Sequence, residues 1–273
     1  MFKIISKYIK HDSGNIPLII TSSHGGDLKF NGINRRLSKP GMCLSNDFYT
    51  NAVVDKVLDH MKKLNMKPYY VQGLVNRKYC DLNRPIDEAF NICTDNCKCY
   101  NCYCSHDDSC LNHVIPQQYY NEYHNIINQY IKLMKQNHPI PLLLDIHGQS
   151  FNENTIFRGT QNSLSMQNLI NKHGPEVLWS SDSICGKLQL CGIDVYPKHI
   201  DIDTDTKEHP KFNGGFTIRQ YSGINGKTSN IINTIDCMQL EIGKDYRLLD
   251  NQMDYFCEVL ADSLISFVNK YYE

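Results

Sequence analysis

At 273 residues the chain is long enough to bury a sizeable core within a single domain. Its 28 Lys and Arg against 29 Asp and Glu leave a net charge of −1, which excludes the basic footprint of a nucleic-acid binder and the polybasic patch of a membrane-surface protein. The opening MFKIISKYIKHDSG lacks the apolar core and cleavage site of a secretory signal, and no run approaches the roughly 20 apolar residues of a membrane span. We therefore expect a soluble, cytoplasmic protein with no nucleic-acid or membrane partner.

The first predicted strand, Ile16–Thr21, runs into Ser22-Ser23-His24-Gly25-Gly26-Asp27. Two glycines let the backbone pass close to a ligand, so His24 is either a structural strand-end histidine or a metal ligand. Asp27 offers a local His-x-x-Asp, or is simply a turn residue. Residues 27–44 read as loop. SNDFYTNAVVDKVLDHMKKLN then repeats apolar residues at Phe48, Ala52, Val53, Val57 and Met61. That period predicts an amphipathic helix with Ser45 or Asn46 as N-cap and Asp47 in its first turn. Asp47 is a second candidate carboxylate ligand, the alternative being an acid that complements the helix dipole.

After a second strand at Pro68–Leu74 comes NRKYCDLNRP, in which Arg77 and Arg84 bracket Asp81 and Asn83. A guanidinium fork binds carboxylates in a bidentate manner and an asparagine can donate beside it. The same residues could instead tie down a loop through an Arg–Asp pair. QQYYNEYHNIINQYIKLMKQ predicts a helix whose buried face holds Tyr119, Tyr123, Ile126, Tyr130 and Met134.

The third strand, Pro141–Ile146, repeats the design of the first: an apolar run into His147 and Gly148. Asp145, two residues earlier on the same face, is placed to hydrogen-bond that histidine. Further strands are expected at Asn154–Arg158, Gly192–Tyr196 and Ile235–Ile242, with a closing helix in NQMDYFCEVLADSLISFVNKYY. Alternation in the last strand puts Met238 and Leu240 on one face and Cys237, Gln239 and Glu241 on the other. Glu241 is a candidate general base, or a strand-edge glutamate in a salt bridge. Strands alternating with helices predict an α/β fold with a mixed, mainly parallel central sheet covered on both faces, ligands binding at the carboxyl ends of its strands. His24 and His147 both fall just past such an end, and two histidines plus a carboxylate suit a catalytic zinc.

Seven segments in this order resemble the N-formylglutamate amidohydrolase family, within the wider zinc carboxypeptidase and aspartoacylase-like group: SSHGG, DFYTNAV, RKYCDLNRP, LLLDIHG, FRGTQN, FNGGFTIRQY and MQLEIGKDYR. The resemblance spans about Asn15 to Arg247, with DLNRP and DIH its most specific elements; Ser23 departs from the proline that often precedes the first histidine. It implies a three-layer α/β/α sandwich of the phosphorylase/hydrolase-like, zinc carboxypeptidase type. It also implies a zinc-dependent hydrolase of an amide next to a carboxylate, on a small-molecule or peptide substrate. His24 and His147 would be metal ligands with Asp47, rather than Asp27, as the third. Asn83 and Arg84 would hold the substrate carboxylate, Arg77 would stabilise the oxyanion, and Glu241 would act as base and acid. A carboxypeptidase or deacylase acting on a peptide or protein C-terminus shares these residues. A non-catalytic metal-containing binding module would have no need of both Glu241 and Arg84.

One stretch has no counterpart in that pattern. Of 12 cysteines, six lie in NICTDNCKCYNCYCSHDDSC, and the remainder (Cys43, Cys80, Cys185, Cys191, Cys237, Cys257) are scattered in mostly apolar contexts that suit free thiols. We expect a single amidohydrolase-like domain over residues 1–273 with a Cys-rich insert at about 91–112. Cys97, Cys99, Cys102 and Cys104 form its dense centre, with His106 and Cys110 following. They are candidates for a second, structural zinc, for a disulfide knob, or for a disordered tip. Following NRPIDEAF closely, the insert is placed to overhang the site.

Overall fold

The computed structural model describes residues 5–38, 40–91, 111–198, 207–224 and 234–272. Residues 92–110, which hold the six clustered cysteines and the possible zinc ligands of the Cys-rich insert, lie outside them. The described strands are β1 (Ile9–Asp12), β2 (Leu18–Ser22), β3 (Tyr69–Gly73), β4 (Leu142–Gln149), β5 (Thr155–Gly159), β6 (Asp194–Tyr196) and β7 (Asp236–Gly243). They form one sheet in the order β1-β3-β2-β4-β7-β5-β6. The central pairs β3–β2, β2–β4 and β4–β7 are parallel, as is β5–β6; β1–β3 and β5–β7 are antiparallel. A mixed, mainly parallel sheet is therefore present.

Alternation along the strands builds the two faces. Leu18, Ile20, Leu142, Leu144, Ile146, Met238, Leu240 and Ile242 pack against α1 (Thr50–Lys63), α4 (Gln167–His173), α5 (Ile184–Leu190) and α8 (Asp250–Tyr272). The opposite face carries Ile19, Val71, Leu143 and Cys237. It is covered by the short α2 (Ile86–Ala89), α3 (Leu111–Asn137) and α6 (Phe216–Ser222). A turn of helix, α7 (Asp245–Leu248), links β7 to α8. Helices on both faces give the three-layer α/β/α architecture. The five apolar residues expected on the face of α3 are all buried, as are Cys80, Cys185, Cys237 and Cys257. Among the described residues no helix is long and apolar enough to cross a membrane.

One strand is not among those expected, and two sequence expectations are corrected. β1 escapes the hydrophobic pattern because only Ile9 of its four residues is buried. β4 extends to Gln149, so His147 lies within the strand rather than past it, because His147, Gly148 and Gln149 continue the pairing with Glu241, Ile242 and Gly243. The helix expected from Ser45 or Asn46 starts at Thr50, capped by no side chain, with Tyr49 in the left-handed region at φ 67°. Asn46 instead bonds Gly26 O and the Arg77 N–H, while Asp47 turns into the site. Phe48 therefore precedes the helix and is 58% exposed instead of packing beneath it.

Phe256 of α8 is fully buried in the core. Replacing it with alanine should cost about 3–5 kcal/mol of unfolding free energy through lost burial and an unfilled cavity. An unchanged denaturation midpoint would contradict this packing.

Candidate active site

At the carboxyl end of β2 the chain leaves the sheet at Ser22 and delivers His24, while two strand positions of β4 deliver Asp145 and His147. The loop before α1 folds back so that the Asp47 N–H donates to His24 O at 3.1 Å, and Asp47 O accepts from the Thr50 N–H and hydroxyl at 3.2 and 2.9 Å. This brings one carboxylate oxygen to both imidazoles. Asp47 Oδ2 lies 3.3 Å from His24 Nδ1, 3.0 Å from His147 Nδ1 and 3.3 Å from the Gly148 N–H. One donor atom from each of His24, Asp47 and His147 falls within 4.8 Å of the others, and all three residues are buried. Asp27 is exposed and outside this group.

The far nitrogens of the two histidines are also held by acids. His24 Nε2 lies 2.6 Å from Asp81 Oδ1, and His147 Nε2 lies 2.8 Å from Asp145 Oδ2. A carboxylate can only accept, so each Nε2 carries the proton and each Nδ1 turns a lone pair toward Asp47 when the ring is neutral. Asp145 is itself oriented by the Thr21 hydroxyl at 2.7 Å. Asp81 is oriented by Arg77 at 2.8 Å and by Arg36 at 3.3 Å. This is the arrangement in which outer carboxylates fix the tautomer and direction of metal-binding imidazoles.

The charged groups of the centre shift one another strongly. Burial alone would raise the Asp47 carboxyl, but His24 and His147 hold it far below the usual carboxylate range. Asp81 is likewise kept low against its burial by His24 and Arg77. Burial opposes a charge on His147, yet Asp145, Asp47 and Glu241 together push its pKa well above the ordinary value. Glu241 sits directly opposite His147 in the parallel β4–β7 pair. Burial, helped by Asp47 and Asp145 and resisted by His147, raises its carboxyl to about 8. Its Oε1 accepts from Gln239 Nε2 at 2.8 Å, and Gln239 Oε1 accepts from the Gly215 N–H at 2.8 Å.

Arg77 is buried and placed 3.8 Å from Asp47 Oδ1, and its Nε has no hydrogen-bond partner. Asn83 Oδ1 accepts from the N–H and hydroxyl of Thr217 at 2.7 and 3.0 Å, which fixes the flip of its amide. Its Nδ2 lies 3.3 Å from His147 Nε2. That nitrogen already donates to Asp145, so the contact is donor against donor, and the Asn83 amide protons remain available to an acceptor in the site. Arg84 donates to Asn83 O at 2.8 Å and Arg219 to Gly214 O at 3.0 Å. Among the described residues neither guanidinium forms an ion pair. Burial and the charge of Arg84 both lower the Arg219 pKa.

Several of these residues escape a reading of the sequence alone. Arg36 sits in a loop with no periodic signal. Arg219 lies within FNGGFTIRQY, where the spacing marks a turn but no chemistry. Arg247 bonds Ile242 O and Gln149 O at 3.0 and 3.2 Å, and Phe48 O as well, tying β4, β7 and the Asp47 loop together. It passes where a side chain on residue 148 would stand, a Cβ there lying 2.5 Å from the guanidinium carbon, so any larger residue would have to push Arg247 off these carbonyls. The glycine after His147 was the visible half of that contact.

Fold and site together define an α/β protein with a buried imidazole–carboxylate centre at the carboxyl edge of its parallel strands. Residues 16–181, more than half of the chain, match the family model of the N-formylglutamate amidohydrolases, and the chain belongs to that family and is an amidohydrolase. The fold is that of the N-formylglutamate amidohydrolase from Ralstonia eutropha JMP134, with a TM-score of 0.59 at 13% identity over 96% of this chain and 97% of that one. The gene product Atu2144 of Agrobacterium tumefaciens is similar, with a TM-score of 0.57 at 13% identity over 98% and 96% of the two chains. No curated protein matches the sequence.

Asp81→Asn removes the charge that Arg36, Arg77 and His24 surround. Breaking a buried ion pair leaves uncompensated charge, so we expect a loss of about 3–5 kcal/mol in denaturant unfolding. A loss under about 1 kcal/mol, the range of exposed pairs, would show that these arginines find other partners.

Proposed function

We propose that this amidohydrolase is zinc-dependent and cleaves an amide bond next to a carboxylate. The observation that carries the reading is the convergence of His24, Asp47 and His147, with Glu241 paired directly opposite His147. Two neutral imidazoles and a carboxylate are a donor set suited to zinc that leaves a coordination position open. The outer acids Asp81 and Asp145 turn both Nδ1 atoms to the centre, and the surplus of buried carboxylate charge calls for a cation. What the ion supplies when bound is Lewis acidity toward an amide carbonyl and an attacking water.

The rest of the chemistry belongs to side chains of this chain. Glu241 removes a proton from the water as it attacks. Its crowded setting, which favours the neutral carboxyl, makes it a better acceptor for that proton, which it then passes to the more basic leaving amine nitrogen. Arg77, anchored by Asp81 beside the donor set, stabilises the developing oxyanion with the part of its fork left unpaired. Arg84, the Asn83 amide and Arg219 together receive the substrate carboxylate. Two unpaired guanidiniums that repel one another are relieved by an anion between them. This basic end selects a small-molecule or peptide substrate with a free carboxylate.

Removing metal with a chelator should abolish hydrolysis of N-acyl amino acids, and zinc should restore it; full activity in metal-free protein would refute the proposal. Glu241→Gln should keep the metal while kcat falls by about 10²–10⁴. Near-normal turnover would take Glu241 out of the proton-transfer role. Arg84→Ala should raise KM for carboxylate substrates by about 10- to 100-fold, the worth of a charged hydrogen bond. An unchanged KM would place the carboxylate elsewhere.

A further inference from the structure

A single row of side chains crosses the sheet at the level of the site. His147 of β4 pairs with Glu241 of β7, Glu241 with Phe157 of β5, and Phe157 with Tyr196 of β6. Directly paired residues project to the same face, their Cβ atoms about 4.5–5.5 Å apart in an antiparallel pair. The metal-binding candidates therefore stand at one end of the row, aromatic rings at the other, and Glu241 between them.

Phe157 is the floor of an aromatic wall. The rings of Phe212, His209, Tyr196 and Phe151 lie 4.7, 5.1, 5.7 and 6.2 Å from it, centroid to centroid. Phe157 is 4% exposed, whereas Tyr196 is 37% and Phe151 62% exposed. The wall thus climbs from beside Glu241 to solvent. Packing of the sheet does not require this; a contiguous run of rings left in water marks a binding surface.

The chain is built to hold the wall there. A Cβ on Gly159 would lie 2.5 Å from Phe212 O and Gly214 N, so the loop carrying His209 and Phe212 crosses the sheet only because residue 159 has no side chain. Gln161 secures the crossing, its N–H donating to Asn213 O at 2.7 Å. Through Gly215 and Gln239 the same loop also reaches Glu241. Wall and proposed base share one support.

Aromatic clusters take either cations or neutral rings. Here Lys211 already stands over Phe151, its Nζ 5.6 Å from the ring centre. The acids nearby are engaged, Glu208 with Arg158 and Thr160, and Asp194 with Lys198 and Thr155. The wall therefore favours a neutral ring. We infer that it is a subsite for the acyl half of the substrate, and that the preferred substrates are N-acyl amino acids whose acyl group carries an aromatic ring. This rests on the hydrolytic reading above: with the carboxylate taken by Arg84 and Arg219, the rings in the row beside Glu241 fall to the acyl group. A formyl group would not reach the rings.

The test compares N-formyl-, N-acetyl-, N-benzoyl- and N-phenylacetyl-glutamate on zinc-loaded full-length protein, with kcat/KM on the wild type and calorimetric Kd on Glu241→Gln. We expect the aromatic substrates to exceed N-formylglutamate by about tenfold or more in both. Phe151→Ala and Tyr196→Ala, at exposed positions where truncation spares the core, should erase that advantage and leave the N-formylglutamate values in place. Equal or better use of N-formylglutamate, or a preference that neither substitution moves, overturns the subsite while the hydrolase stands. Tight aromatic binding to Glu241→Gln without wild-type turnover of any substrate supports the subsite and overturns the hydrolytic reading. Neither turnover nor preferential binding overturns both.

Discussion

One carboxylate oxygen organises this protein. Asp47 Oδ2 meets the Nδ1 atoms of His24 and His147 and the Gly148 N–H within 3.3 Å, joining the ends of two neighbouring parallel strands to the loop before α1. Much of the local architecture follows. The helix starts late because Asp47 and Asn46 are drawn into the site and cannot cap it. Tyr49 takes a left-handed conformation to make the reversal. Arg77 and Arg247 pack on either side of the same loop through Ser45 O and Phe48 O. Around this point Asp47, Asp81, Asp145 and Glu241 face Arg36 and Arg77, so acids outnumber arginines and the balance falls to the histidines or to a metal ion. A centre of this kind is costly to bury unless its charges are paired, and the outer acids, arginines and Thr21 hydroxyl supply the pairing.

The sheet carries groups of contrasting chemistry around that centre. Toward α6 lie Asn83, Arg84 and Arg219; along the row through Glu241 lie Phe157 and the aromatic wall. The segment from Glu208 to Arg219 contributes to both ends, with Phe212 at one and Arg219 at the other. The family match ends at residue 181. It therefore includes His24, Asp47, Arg77, Asn83, Arg84 and His147 but neither this segment nor Glu241; Glu241 rests on the MQLEIGKDYR resemblance and its pairing with His147, the segment on its contacts in this structure.

What the sequence makes legible is what has a period or a motif. The core strands and the long helices announce themselves through alternation and i, i+3, i+4 spacing, and Asp145 is readable because strand alternation puts it on the face of His147. The choice between Asp27 and Asp47 is different in kind. Spacing alone favours Asp27, which is nearer in sequence; the family resemblance favours Asp47, and the backbone bond from Asp47 to His24 O shows how the loop folds back to bring it in. Arg36, Arg219 and Arg247 act through tertiary contacts made from irregular segments or from positions whose neighbours give no period. The late helix start was hidden for a related reason: Phe48 continues the apolar spacing of α1, yet the demands of Asp47 override local propensity.

The central claim is that these three side chains hold one metal ion. Anomalous scattering at the zinc edge from crystals of the zinc-loaded protein tests it directly. The account predicts a strong peak about 2.0–2.2 Å from His24 Nδ1, His147 Nδ1 and an Asp47 oxygen. Ordered His24, Asp47 and His147 side chains with no peak between them would contradict it.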